Sequence, residues 1–303
     1  MNGMVLCMSN KVLFCTGEGV GNVIQTIPAI RTLKEVLGYD VDYWHAFGSY
    51  SIPKIIPYVD KWIVGQKIKS IDPSEYKGKV STLWTRDYLN ISPLEKLQLL
   101  NNIQPLRMDR SEVDTYMDIA RDLGVKEKDL IWHGECNYNK LRKSKDQYDI
   151  VIHNGFNHFG AANWEVKSYS YYKEVVKLLS KFKICSVGAK GEYINGTIDK
   201  TELDLLTTGG IIKNCKLFLS NDSGLYHYAN TLKVKNVVIF TATSVKKNFD
   251  SRFHKYSTIV GRNDLECRPC QGNRGWKNCK TWECRNIEPE IIVNVIKEKI
   301  NEN

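Results

Sequence analysis

The order of the elements constrains this chain most, because short apolar strands lead repeatedly into glycine-bearing loops and then into helices. Lys11–Thr16 is predicted to be a buried strand that runs into the loop GEGVGN at 17–22 and a helix ending near Gly38. A second series begins with a predicted strand at 149–153. Strands that alternate with helices predict parallel sheets, so two series predict an α/β protein of two Rossmann-like domains.

A polar, lysine-rich stretch at 125–147 separates the two series. We therefore expect one domain at 1–148, which includes this linker, and a second at 149–303, which ends in an amphipathic helix. The 303 residues leave about 150 for each domain, which is enough to bury a hydrophobic core.

Composition excludes two classes of protein but leaves the partner open. Aromatic residues make up 11% of the chain, which excludes disorder, and no apolar run approaches the ~18 residues that a membrane span needs. Residues 1–8 lack the features of a signal peptide, so we expect a cytoplasmic protein. The net charge of +9 fits an anionic substrate, a membrane surface or nucleic acid equally well.

The loop GEGVGN lies between a strand and a helix, which is where phosphate- and nucleotide-binding turns occur. The third glycine of the dinucleotide fingerprint would fall at position 22, where Asn22 stands, so an NAD-dependent oxidoreductase is disfavoured. Glu18 lies beyond the C-terminal end of a predicted strand, where open α/β sheets bind their ligands. The alternative is a tight turn without a ligand.

The segment SNDSGLYHYAN at 220–230 is a more specific signal. It follows a predicted strand, Asp222 and Ser223 can cap the next helix, and Gly224 allows the backbone to approach a ligand closely. N–H groups at the start of that helix would suit a diphosphate, and His227 lies one turn further along. A capped helix with a buried histidine is the alternative.

A second glycine loop, GAKGE at 188–192, also follows a predicted strand. Gly188 begins this loop, and the carboxylate of Glu192 at its end is suited to binding the hydroxyls of a ribose or a sugar. Taken alone, the loop is equally consistent with a plain turn.

Four of the nine cysteines lie close together in the pattern C-x2-C-x8-C-x4-C. They are Cys267, Cys270, Cys279 and Cys284. In a chain without a secretory signal, such cysteines are expected to be thiols or metal ligands, and four thiolates at this spacing can hold a structural zinc ion. Free thiols and two local disulfides are the alternatives.

These segments together resemble glycosyltransferase family 9, the heptosyltransferase-like enzymes. GEGVGNVIQTIPAIRTLKE is similar to the family's opening loop and helix, and SNDSGLYHYANTLKVKNVVIFTATS to its D-[ST]-G-l-x-H signature. The residues at 153–155, Trp164 and the loop at 188–192 match further family features, and Cys267 and Cys270 match the C-x-x-C tail of many members. The resemblance implies a GT-B fold, with an N-terminal acceptor domain and a C-terminal nucleotide-sugar domain whose parallel sheets face across a cleft.

The chain departs from the family pattern at three positions. The family's aspartate, the usual candidate for the catalytic base, is replaced by Asn22, and an amide cannot accept a proton. Glu18 falls on a position where some members carry a second acid, so we expect it to be the base. Lys167 substitutes for a lysine that the family has before Trp164, and Thr241 replaces the glycine of the family's F-G-x-T loop.

The resemblance also implies a role for each site residue. Glu18 and Asn22 are the catalytic candidates, and Gly19, Gly21 and Gln25 belong to the acceptor-side loop. The implied donor-binding residues are Gly188, Glu192, Asp222, Ser223, Gly224, His227, Thr243 and Lys167.

The implied activity is an inverting transfer of a sugar from a nucleotide-diphosphate sugar to a hydroxyl acceptor, without a catalytic cofactor. The family favours a cell-surface glycan as the acceptor, such as a lipopolysaccharide core or another lipid-linked glycan, with the enzyme in the cytoplasm or peripheral to the inner membrane. A viral enzyme that modifies a hydroxylated DNA base in an infected host cell is the alternative. An alternative of another class is a non-catalytic protein with a GT-B fold that binds nucleotides or nucleic acid.

Overall fold

The computed structural model describes residues 10–16, 19–45, 51–64, 70–81, 109–155, 165–271 and 275–302. The chain divides into two compact units, residues 1–107 with 112–134, and residues 108–111 with 135–303. Residues 135–147, which the sequence predicts to be part of a linker, belong to the second unit.

The described residues of the first unit form a parallel sheet of four strands. These are β1 (Lys11–Thr16), β2 (Asp40–His45), β3 (Lys61–Val64) and β4 (Gly78–Ser81), in the spatial order β3-β2-β1-β4. Strand β1 is central, and its residues 12–15 are all at most 1% exposed, as expected for a parallel strand covered on both faces.

Helices surround this sheet: α1 (Val20–Gln25), α2 (Ile27–Leu37), α3 (Ile52–Ile55), α4 (Glu112–Tyr116) and α5 (Asp118–Asp122). The sequence predicts a single helix after the first loop, but the structure separates α1 from α2 at Thr26. Pro28 lies at the start of α2, where the absence of its N–H costs no helical hydrogen bond. Gly38 ends α2 with a φ of +66°, a left-handed conformation that favours glycine.

The second unit contains a parallel sheet of six strands. These are β5 (Tyr148–His153), β6 (Ile184–Gly188), β7 (Ile198–Thr201), β8 (Cys215–Asn221), β9 (Asn236–Phe240) and β10 (Ser257–Gly261). Their spatial order is β10-β9-β8-β5-β6-β7. Both units therefore confirm the prediction of an α/β protein with two parallel-sheet domains.

In the described part of the second unit, five α-helices accompany the sheet: α6 (Tyr172–Leu178), α7 (Leu205–Lys213), α8 (Gly224–Thr231), α9 (Val245–Asn248) and α10 (Pro289–Asn301). Alternate residues of β5, β8 and β9 pack on one face against the apolar sides of α6 and α10. This core fixes the strand ends from which the candidate site projects.

The strand order identifies one position in each sheet where a ligand would bind. In the first sheet the chain runs outward from β1 to β3 and then returns to place β4 on the other side of β1. In the second sheet it runs from β5 to β7 and then returns to place β8 beside β5. Open α/β sheets bind ligands beyond the carboxyl ends of the strands at such topological switch points.

None of the helices in the described parts of the chain is long and apolar enough to cross a bilayer.

Candidate functional site

A buried histidine joins the two strands at the switch point of the second sheet. His153 ends β5, and its Nδ1 lies 3.0 Å from the Oγ of Ser223, which follows β8. Its Nε2 lies 3.2 Å from Oε2 of Glu192, and that oxygen also accepts a 2.7 Å hydrogen bond from the N–H of Ala189. Because a carboxylate only accepts, Nε2 carries a proton toward Glu192, while Nδ1 faces the Ser223 hydroxyl.

Two glycines make room for this histidine–glutamate pair. A Cβ at Gly155 would lie 2.1 Å from His153 Nε2, and a Cβ at Gly188 would lie 2.2 Å from Glu192 Oε2. Gly188 also has a φ of +144°, which disfavours any other residue. The sequence predicted Gly188 for this site, and the structure places it against Glu192.

Asp222 is the second buried acid at this switch point, with an exposed fraction of 3%. Its Oδ2 accepts a 2.8 Å hydrogen bond from Asn248 Nδ2 and lies 3.5 Å from Nζ of Lys167. Gln271 Oε1 accepts hydrogen bonds of 3.0 Å from both Asn248 Nδ2 and the N–H of Ser244. The structure thus brings together the predicted Asp222 and Lys167, and it adds Asn248 and Gln271, which no sequence motif indicated.

We refer to these side chains as the switch-point cluster. Its members are His153, Lys167, Glu192, Asp222, Ser223 and Asn248.

The prediction that Asp222 and Ser223 cap the helix at 224 is wrong. Ser223 occupies the N-cap position with extended backbone, but α8 has no side-chain cap hydrogen bond. The Ser223 hydroxyl faces His153 instead, and the Asp222 carboxylate is held by Asn248. The first N–H groups of α8, beginning at Gly224, therefore donate no hydrogen bond to either side chain.

The loop after β9 lies beside the cluster. Oγ1 of Thr243 is buried and has no hydrogen-bond partner within the described residues. Ser244 caps α9 by accepting a 3.1 Å hydrogen bond from the N–H of Lys247, a lysine that is only 1% exposed. A buried hydroxyl without a partner costs free energy, so Thr243 is suited to binding an incoming polar group.

His227 pairs with a second buried histidine. Its Nδ1 lies 2.8 Å from Nε2 of His254, whose Nδ1 accepts a 2.9 Å hydrogen bond from the N–H of Asp250. Burial lowers the pKa of His254 to about 3. Burial also holds the pKa of His227 well below its ordinary value, with smaller contributions from His254, Lys167 and Lys247. Both rings are therefore neutral, and His227 carries its proton on Nε2.

The cysteine segment packs beneath the loop after β9. The N–H of Cys270 donates a 2.9 Å hydrogen bond to the carbonyl of Ala242, and Cys270 and Cys284 are buried in one apolar cluster. Burial raises the pKa of the Cys284 thiol to about 11. In the described part of the chain no three His, Cys, Asp or Glu residues are grouped so that they could hold a metal ion. Zinc binding by Cys267, Cys270, Cys279 and Cys284 therefore stays a prediction.

Part of the predicted acceptor loop lies outside the described residues, including Glu18, as does Trp164. Gly19 precedes α1, and apart from its chain neighbours no atom of the described residues lies within 4 Å of the position that a Cβ would take there. Gly21 lies within α1. Asn22 and Gln25 both donate to Oε2 of Glu112, at 3.4 Å and 3.1 Å. Sequence reasoning missed Glu112, because its position 90 residues from Asn22 gives no local signal.

The fold and the cluster define a protein with two parallel-sheet domains whose second switch point is lined by two buried carboxylates, a partly exposed lysine and a serine hydroxyl. Residues 95–279 match the model of glycosyltransferase family 9 (heptosyltransferase). The chain therefore belongs to glycosyltransferase family 9, which confirms the resemblance found in the sequence.

One curated relative and two solved structures are similar to this chain. Over 87 residues the chain is 32% identical to lipooligosaccharide heptosyltransferase 2 of Campylobacter jejuni, a match that covers 28% of this chain and only 26% of that protein. The structure of E. coli ADP-heptose lps heptosyltransferase II has a TM-score of 0.68 at 18% identity, covering 96% of this chain and 98% of that one. The iron-containing dodecameric glycosyltransferase TibC of enterotoxigenic E. coli has a TM-score of 0.67 at 14% identity, covering 96% and 78%. At these identities, the two structures show a shared fold.

Proposed function

We propose that the protein is an inverting glycosyltransferase that moves a sugar from a nucleotide-diphosphate sugar to an acceptor hydroxyl. The switch-point cluster carries this proposal, because it concentrates two buried carboxylates and a lysine where α/β sheets bind ligands. Buried charges of this kind are costly unless they are paired or serve a ligand.

Each part of the donor has a chemically suited partner. The carboxylates of Glu192 and Asp222 can accept hydrogen bonds from hydroxyls of a ribose or a sugar. Lys167, the N–H groups at the start of α8 and the Thr243 hydroxyl can meet the charge that develops on the leaving diphosphate. Because these groups are already held in place, they stabilise that charge without reorganising during the reaction.

The acceptor hydroxyl needs a proton acceptor as it attacks the anomeric carbon from the face opposite the diphosphate. We assign this role to Glu18, because Asn22 cannot take a proton. Asn22 would instead orient the acceptor.

We further infer that the donor is ADP-heptose and that the acceptor is a lipopolysaccharide or lipooligosaccharide core. The names of the Campylobacter relative and of the E. coli heptosyltransferase support this choice. An acceptor of this kind is built on a lipid, so the enzyme would work in the cytoplasm at the surface of the inner membrane.

The test has two parts. Calorimetry measures the binding of ADP-heptose, and mass spectrometry of the product measures the transfer of heptose to a deacylated lipopolysaccharide core oligosaccharide. Lys167→Met should weaken ADP-heptose binding by at least about tenfold, the value of one charge-assisted contact. Lys216→Met is the matched control, since Lys216 pairs with Asp149 at 2.8 Å near the opposite end of β8. Equal effects of the two substitutions, or no binding to the wild-type protein, would contradict the proposal.

A further inference from the structure

A carboxylate is buried in the first unit where sequence reasoning found none. Glu112 begins α4, which packs against α1, and only 4% of the residue is exposed. Its Oε2 accepts from Gln25 Nε2 at 3.1 Å and from Asn22 Nδ2 at 3.4 Å. Asn22 and Gln25 are three residues apart on α1 and so project from the same face of that helix.

The carboxylate determines which way both amides face. An ionised carboxylate can only accept hydrogen bonds, so each amide must present its NH₂ group to Glu112. The carbonyl oxygens of Asn22 and Gln25 are then turned away from Glu112, and both remain available as acceptors.

The carbonyl oxygen of Gln25 lacks a hydrogen-bond donor among the described residues. Gln25 is 3% exposed, and its Oε1 is buried without a hydrogen-bond partner in the part of the chain that the structure describes. Helix α1 begins just beyond the carboxyl end of β1, at the topological switch point of the first sheet. A buried acceptor in such a place is suited to a ligand that donates hydrogen bonds.

We propose that Asn22, Gln25 and Glu112 form a hydroxyl-binding site for the acceptor sugar, in which Glu112 is a positioning residue. Glu112 does not touch the sugar; it holds two carbonyl oxygens toward the sugar's hydroxyl groups. This inference rests on the proposed function for the identity of the ligand.

The test is calorimetric binding of a deacylated lipopolysaccharide core oligosaccharide to the whole protein without a donor. Glu112→Ala removes the single oxygen that accepts from both amides, so neither carbonyl oxygen is held in place. We expect at least about tenfold weaker oligosaccharide binding, equivalent to one buried hydrogen bond, and unchanged ADP-heptose binding. Glu75→Ala, which truncates an exposed glutamate of the same unit, should stay within about twofold of the wild type.

The conservative variant Glu112→Gln separates positioning from other effects of truncation. Its carbonyl oxygen can take the place of Oε2 and accept from both Asn22 and Gln25, so the two amides keep their orientation. Oligosaccharide affinity should therefore stay within about threefold of the wild type.

The proposal is overturned if Glu112→Ala binds the oligosaccharide normally, if Glu112→Gln binds it as weakly as Glu112→Ala does, or if the wild-type protein does not bind the oligosaccharide. These results are distinct from a failure of the proposed function. Oligosaccharide binding that responds as expected, without heptose transfer, would refute the function and support the site. Normal transfer by Glu112→Ala with unchanged acceptor KM would refute the site and support the function.

Discussion

The histidine pair behind the switch-point cluster predicts how stability depends on pH. Burial lowers the pKa of His254 to about 3, whereas an unfolded histidine has its ordinary value near 6.5. Below pH 6.5 the unfolded chain therefore binds a proton that the folded protein excludes. Stability should be fully present above pH 6.5 and should fall as the pH decreases toward 3.

The size of this loss of stability follows from the difference between the folded and unfolded pKa values of His254. Each pH unit within the window costs about 1.4 kcal/mol for one histidine, and pH 5 lies about 1.5 units below the unfolded pKa. His254 alone should therefore reduce the free energy of unfolding by about 2 kcal/mol between pH 7.5 and pH 5. His227, whose pKa is also held well below its ordinary value by burial, adds a loss of the same sign.

The substitution His254→Gln removes this titration while leaving an N–H donor for His227 Nδ1. Urea-induced unfolding at about pH 7.5 and pH 5 should show that the variant loses about 2 kcal/mol less than the wild type over this interval. His133→Gln, at an exposed histidine, is the control and should keep the wild-type pH dependence. A His254→Gln variant with the same pH dependence as the wild type would show that His254 is not held neutral by burial.

Three further predictions concern the proposed site. Gly224→Val should abolish ADP-heptose binding in calorimetry while the far-UV circular dichroism stays unchanged, because a branched side chain at the start of α8 would block access to its N–H groups. Normal affinity in this variant would show that the donor does not bind at this loop. Glu18→Gln should lower kcat at least about 100-fold with little change in donor affinity, and Asn22→Ala should lower kcat by a smaller factor. Wild-type turnover by Glu18→Gln would show that another residue is the base. Metal analysis of freshly reduced protein should find about one equivalent of zinc, lost in Cys267→Ser; protein without metal, or with iron in its place, would contradict a zinc site.

The second glycine loop illustrates a feature that local sequence could predict. Gly188 ends β6 with a φ of +144°, and the strand-to-loop pattern at 188–192 identified it without knowledge of its neighbours. The same holds for Gly38, whose position after a helical stretch predicted the end of α2. Backbone requirements of this kind are set within a few residues, so the sequence alone reveals them.

The elements themselves were also predictable, although not all of their details. Alternation of apolar strands with helices predicted two parallel-sheet domains, because buried parallel strands need a continuous apolar run and a helix to return the chain. The break at Thr26 and the hydrogen bonds of Asp222 and Ser223 were not predicted. A side chain that can cap a helix can equally bind a neighbour, and packing decides between these partners.

What the sequence by itself determined is therefore the class of fold and the glycine-dependent turns, together with a prediction of the chain segments that contribute to the candidate site. The tertiary structure decided which side chains meet. Glu112 reaches Asn22 across 90 residues, His254 reaches His227 across 27, and Gln271 reaches Asn248 across 23. These contacts depend on the order of strands in a sheet and on how helices pack beside it. A hydrogen bond between distant residues leaves no periodic or local signal in the sequence, because its geometry exists only once the elements that carry its two ends have packed together.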